Sequence, residues 1–158
     1  MTDRLDVTVA ALIEHDGRFL LVKERAQGRI VYNQPAGHAE SRESFIDAVT
    51  RETREETGYA FLPTSLLGLY LWHCTEIGTS FLRLAFCGEA SPPAREPMLD
   101  SGIIATEWLT RAQVLAREPQ LRSPLVLQCI DDYRANRRYP LACLTEVYLT
   151  QAARLSAS

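Results

Sequence analysis

Three carboxylates, Glu52, Glu55 and Glu56, crowd the stretch Arg51-Glu52-Thr53-Arg54-Glu55-Glu56-Thr57-Gly58. On a helix turning about 100° per residue they fall within roughly 100° of one another. Phe45, Ala48 and Val49 occupy the same stripe one and two turns earlier, so a face that begins apolar ends in three anions. Anions packed side by side on a half-buried face repel one another and lose solvation, and they require cations. Arg51 can pair with Glu55 at i, i+4, which answers one charge. A divalent metal is the natural counter-ion for the rest. Mg²⁺, with Mn²⁺ as the alternative, takes carboxylate oxygens, retained waters and substrate phosphate oxygens. Clustered metal ions neutralise phosphate oxygens, lower the pKa of an attacking water and stabilise a leaving group, which is what phosphoanhydride hydrolysis demands. A solvated acidic helix face is the competing explanation of such a charge run.

The elements that must position these groups are legible in outline. From Ser44 to Thr57 the chain has good helix formers and neither Gly nor Pro, and Gly58 stands where a C′ residue ends a helix. Val7 to Glu14 and Phe19 to Lys23 read as strands joined at Asp16-Gly17, a hairpin signal. A short strand over Ile30 to Tyr32 is expected to break at Pro35 and Gly37. Leu66 to Cys74 and Ser80 to Cys87 read as strands joined through Gly78, Ala90 to Gly102 as loop, and Ala105 to Leu109 as a last short strand. Thr110-Arg111-Ala112-Gln113 has the form of a capping box. Ser123-Pro124 predicts an N-cap before Pro at N1 and a helix running to about Asn136. The order β-β-β-α-β-β-β-α-α predicts an α/β fold, a mixed sheet packed between helices. No repeat or linker divides the chain, so residues 1–158 are expected to form one domain.

The acidic segment resembles the Nudix box, G-x5-E-x7-R-E-U-x-E-E-x-G-U, where U is a bulky apolar residue. Gly37, Glu43, Arg51, Glu52, Glu55, Glu56 and Gly58 all fall in register, with Thr53 in an aliphatic slot and Tyr59 in the last apolar one. At average composition such a match arises by chance roughly once in a million sequences. The resemblance implies a Nudix-type α/β/α sandwich with a mixed β-sheet, and hydrolysis of small organic pyrophosphates. It also implies Glu52, Glu55 and Glu56 as metal ligands, with the Gly37 carbonyl a further candidate. Arg51 is expected to orient a carboxylate and Glu52 to act as general base. Glu43 is harder to place, because eight helical residues would separate it from Arg51 by about 12 Å. A carboxylate favouring a helix N-terminus explains it as well as metal binding does.

Two further stretches, Asn33-Gln34-Pro35-Ala36-Gly37-His38 and Leu121 to Val126 with Arg138 to Leu141, resemble the NudJ-type phosphatases within that family. That branch implies release of inorganic phosphate from nucleoside di- and triphosphates, hydroxymethylpyrimidine pyrophosphate or thiamine pyrophosphate. The alternatives are release of pyrophosphate with a nucleoside monophosphate, and a module that senses nucleotides without cutting them. Gln34 and His38 flank the box glycine and are candidate substrate contacts. Arg83 could reach a phosphate through its forked donors, although an Arg at an alternating strand position ordinarily points to solvent. Asp100 reads as an extra carboxylate near the metals or as a turn residue before Gly102. Trp72 and Tyr70 could stack on a ring or belong to the core. Arg122 and Tyr139 are rim candidates.

Composition limits the partners. The net charge of -3 and pI near 5.6 leave no basic excess for a long nucleic acid. The longest apolar run near the start, Val9 to Ile13, is too short to span a bilayer, and no positively charged region leading into an apolar stretch precedes it. Four scattered cysteines without a C-x-x-C pair read as free thiols in a reducing compartment, so a cytoplasmic location is expected, with a monomer favoured over a homodimer.

Overall fold

The computed structural model describes residues 4–147. Eight strands and three α-helices follow in the order β1 (Arg4–Leu12), β2 (Glu14–His15), β3 (Arg18–Ala26), β4 (Arg29–Asn33), β5 (Ala36–His38), α1 (Phe45–Thr57), β6 (Ala60–Cys74), β7 (Thr79–Ser91), β8 (Ile103–Thr110), α2 (Arg111–Leu115) and α3 (Leu125–Arg134). Short 3₁₀ turns cover Glu118–Gln120 and Leu141–Cys143. The expected single sheet is two sheets of four strands. One is mixed, ordered β5-β1-β7-β6, with β1 and β7 parallel and the other pairs antiparallel. In the other, β3 is the centre, pairing antiparallel with β2, β4 and β8.

Period-two alternation splits the interior into two cores. Val9 and Ala11 of β1, Ile13 just after it, Leu20 of β3 and Leu84 and Phe86 of β7 face Ala48 and Val49 of α1. The intervening residues, Leu12, Phe19, Leu21, Ala85 and Cys87, face Val126, Cys129 and Ile130 of α3. Helices therefore cover both sides of the sheets, as an α/β/α sandwich requires.

Strand ends differ from expectation where side chains did not reveal pairing. β4 ends at Asn33, before Pro35, as expected, but Gly37 lies within a further strand. Ala36–His38 forms β5, an edge strand on β1 with Gly37 opposite Val9, and Pro35 contributes its carbonyl to Ala11 at 2.9 Å. β6 and β7 run well beyond Leu66 and Cys87 because register shifts between Pro63 and Ser65 and between Leu66 and Gly68 absorb residues that break regular pairing. Ala90 and Ser91, expected in a loop, are the last residues of β7. Ser123 does not cap α3 with its side chain. Pro124 takes the cap position, and the Ser123 hydroxyl is buried without a hydrogen-bond partner. The capping box at Thr110 is present in both halves. All four cysteines are unpaired, and no helix among the described residues is long and apolar enough to cross a membrane.

Candidate active site

α1 begins at a Ser44 cap, whose hydroxyl accepts the Asp47 N–H at 2.9 Å, and ends at Gly58, whose φ of 75° lets its N–H reach the Arg54 carbonyl. Between these ends Ala48, Val49 and Thr53 are buried against the sheet, and this face aims the carboxylates of the last turns at the β5 strand. Thr53 fits its apolar slot because its hydroxyl donates back to the Val49 carbonyl at 2.7 Å, leaving no polar group unsatisfied.

Arg51 is the hub. Its guanidinium donates to Glu43 at 2.7 and 3.0 Å, to Glu52 at 2.8 Å, to Glu55 at 3.0 Å and to the His38 carbonyl at 3.2 Å. This corrects the expectation for Glu43. That residue precedes the helix cap, so helical spacing does not separate it from Arg51, and its side chain folds back to clamp the guanidinium while accepting the Glu40 N–H at 2.8 Å. Arg51 holds the Glu43 carboxyl below its ordinary range, and the surrounding carboxylates hold Arg51 firmly protonated.

Glu56 behaves differently. Its carboxylate is 8% exposed and accepts the Ala36 N–H at 2.9 Å, with no cation in hydrogen-bond contact. Burial pushes its pKa up to about 8. Burial also raises Glu52, against the pull of Arg51. Asp100 adds like charge to both; its N–H donates to the Glu55 carbonyl at 3.0 Å, which fixes the following loop beside the end of α1.

The carboxylates are arranged around Arg51, and among the described residues no three of them converge as a closed ligand set. The donor set is nevertheless suited to Mg²⁺ or Mn²⁺, which accept carboxylate oxygens with several waters retained. The backbone is shaped for it as well. A Cβ on Gly37 would overlap the Glu52 carboxyl group, so only glycine lets that carboxylate lie against β5. Gly37→Ala should therefore displace Glu52 and reduce turnover at least about tenfold, as misplacing a reacting group does. Activity assays beside circular dichroism check this, and unaltered turnover in a folded variant would refute the arrangement.

The remaining candidates separate. His38 lends its carbonyl to Arg51, but its ring is exposed and lies 3.3 Å from Asp6. Gln34 is 2% exposed; its amide donates to the Val126 carbonyl at 2.8 Å and accepts from Arg83 at 3.2 Å. Arg83 does not point to solvent. It is 6% exposed, donates to Gln34 and Asn33, and its Nε has no partner. The signal was available: Phe81 to Cys87 is apolar on both alternating faces, which marks a strand covered on both sides. Tyr70 donates to Asp132 at 2.9 Å within the α3-side core, and Tyr139 pairs its backbone with Leu66. Arg122 stands 3.9 Å from Glu24, and Trp72 stacks on Phe81. The buried Asp132 carries no sequence pattern that distinguishes it, and the pattern at Ser123 is that of a helix cap.

A family model described as the NUDIX domain matches residues 2–129. Phosphatase NudJ of Escherichia coli strain K12 is 37% identical over 135 residues, covering 85% of this chain and 87% of that one. Phosphatase NudJ of Shigella sonnei strain Ss046 matches to the same extent. Among solved structures, a NUDIX hydrolase from Nitrosomonas europaea superposes with a TM-score of 0.88 at 46% identity, covering 91% of this chain and 98% of that one. A MutT protein from Methanosarcina mazei Go1, with a TM-score of 0.69 at 23% identity over 87% of this chain and 99% of that one, shares the fold. With the box residues gathered at the end of α1 and the match running through most of the chain, the protein belongs to the Nudix hydrolase family.

Proposed function

We propose that the protein hydrolyses the terminal phosphoanhydride bond of small organic pyrophosphates in a Mg²⁺-dependent reaction, releasing inorganic phosphate. The observation that carries this reading is the pair Glu52 and Glu55 held by Arg51, with Glu56 on the same helix end, buried and without a cation. Those three carboxylates and the Gly37 carbonyl would hold Mg²⁺, or Mn²⁺ in its place. When bound, the metal supplies charge neutralisation at the phosphate oxygens and a lowered pKa for the attacking water. Glu52 is the base of choice, since burial raises its pKa above the ordinary carboxylate value and Arg51 fixes its orientation. Arg51 also keeps Glu55 aligned, at 3.0 Å.

The likeness to NudJ phosphatases supports nucleoside di- and triphosphates, hydroxymethylpyrimidine pyrophosphate and thiamine pyrophosphate as substrates. Gln34, His38 and Arg83 are the residues nearest the box glycine in sequence or contact that could steady them, with Arg83 acting through Gln34 rather than by its own exposure. A nucleoside triphosphate digested with Mg²⁺ should yield phosphate and nucleoside diphosphate at early times. Chromatography with separate assays for phosphate and pyrophosphate decides the matter: pyrophosphate and monophosphate as first products would overturn the terminal cut.

A further inference from the structure

A cleft of about 480 Å³ lies where β2, the end of β7 and β8 meet beside Tyr59, the residue after the Gly58 stop. Its volume falls within the range of small-ligand sites. Arg51, Glu52, Glu55 and Glu56 do not line it, so it is a place apart from the candidate active site. Trp108 of β8 is shared by two ring pairs. The Tyr59 ring stands 5.9 Å from the indole at 68°, and the His15 ring 6.2 Å from it at 65°. Rings packed edge-on, unlike a face-to-face stack, leave electron-rich faces open to a ligand.

The polar tips of the aromatic side chains are already engaged. The Trp108 indole N–H donates to the Tyr59 hydroxyl at 3.3 Å, and the Tyr133 hydroxyl donates to Glu14 at 3.4 Å. Glu14 also accepts the Gly17 N–H at 2.6 Å, which fixes its carboxylate at the cleft. Glu89 lines the cleft as a second carboxylate and is exposed. No Lys or Arg lines it among the described residues. Ring faces and two carboxylates, with no such cation between them, attract positive charge and repel anions. A divalent metal ion gains little there, because it asks for several convergent oxygens that aromatic walls do not offer. An organic ammonium carries its charge on an apolar body and gains from rings and carboxylates alike.

We propose that this cleft binds a small organic cation bearing a quaternary ammonium group, seated against Trp108 and Tyr59 with Glu14 and Glu89 balancing its charge. Nothing in this depends on the phosphohydrolase reading, because the two sites share no residue. Choline is the probe. Its uncharged carbon isostere, with a tert-butyl group in place of the trimethylammonium, is the control. The chain has two tryptophans, Trp72 and Trp108, so ¹⁵N spectra show two indole resonances. Choline should move the Trp108 resonance saturably and leave Trp72, which lies outside the cleft, in place. The isostere should bind at least about tenfold more weakly, since it loses the attraction of rings and carboxylates for charge.

A double variant, Glu14→Gln with Glu89→Gln, removes both charges and keeps the acceptor for Gly17 and Tyr133. Its affinity for choline should fall about fivefold to tenfold, while its affinity for the isostere stays where it was. The comparison of choline with its isostere uses the wild-type chain alone, so it decides even where the variant does not fold. An unmoved Trp108 resonance at high choline, equal movement of Trp72, equal affinity for the isostere, or unchanged choline affinity in a folded double variant would each overturn the cation site.

Discussion

Glu56→Gln should lower Mg²⁺-dependent turnover by on the order of 10²–10³ and, in the absence of metal, make the protein more stable at pH 8 than the wild type. The two effects have one cause. Glu56 is buried, receives a single backbone N–H and has no cation against it, so its ionised form is unfavourable until a metal arrives. Its pKa is raised from 4.5 in the unfolded chain to about 8 in the folded one. Between those values the folded state binds more protons than the unfolded state, so stability falls as pH rises. The contribution is fully present below about pH 4.5, declines through neutrality and is gone above about pH 8. A shift of that size corresponds to on the order of 5 kcal/mol across the window. Glutamine keeps the acceptor for Ala36 and has no charge to bury. Metal-free melting curves from pH 5 to pH 8.5 should therefore show wild type and variant close at the acid end and separating as pH rises. The variant keeps a shallower slope of the same sign, because Glu52 is raised by burial too. Saturating Mg²⁺ should reverse the order at pH 8, since it stabilises only the chain that can ligate it well. Parallel curves for the two proteins at all pH values would show that Glu56 is not a charge held in reserve for metal.

How much of this was readable beforehand depends on whether the signal was local. The Asp16-Gly17 turn, the Gly58 stop and the Thr110 capping box are properties of a few adjacent residues, and each is present with the required backbone. The three carboxylates of the box share a helical stripe, which spacing alone reveals. What failed involved partners distant in sequence. β5 exists because β1 offers it an edge, and nothing within Ala36-Gly37-His38 announces that. Glu43 precedes the helix, so helical spacing does not set its distance from Arg51, and the guanidinium is long enough to bridge the gap. Ser123 has the sequence of a cap, yet the approach of β4 at Tyr32–Arg122 sets the backbone so that the hydroxyl turns elsewhere. The division of the strands between two sheets is likewise a matter of pairing, which β3 decides by taking partners on both edges.

Arg51 carries the other large effect. Arg51→Met should lower the metal-free stability by about 2–4 kcal/mol, because Glu43 and Glu52 are mostly buried and would be left as uncompensated anions. For a chain of this length that is a fall in Tm of roughly 6–12 °C. Glu55 is more exposed and contributes less, since water answers part of its charge. Arg51→Lys should recover only part of the loss. An ammonium is a point charge on a flexible stem and cannot hold Glu43 by two bonds while also reaching Glu52 and Glu55. The response to Mg²⁺ then tests what the carboxylates are for. In the wild type a metal must compete with the guanidinium for Glu52 and Glu55; in Arg51→Met it meets the same oxygens unpaired. Mg²⁺ should accordingly raise the Tm of Arg51→Met more than that of the wild type, even though turnover falls because Glu52 has lost the group that orients it. Calorimetric melts with and without Mg²⁺ read this directly. A smaller Mg²⁺ shift in the variant would mean that the oxygens bound to Arg51 are not those that bind the metal, and would move the metal site away from Glu52 and Glu55.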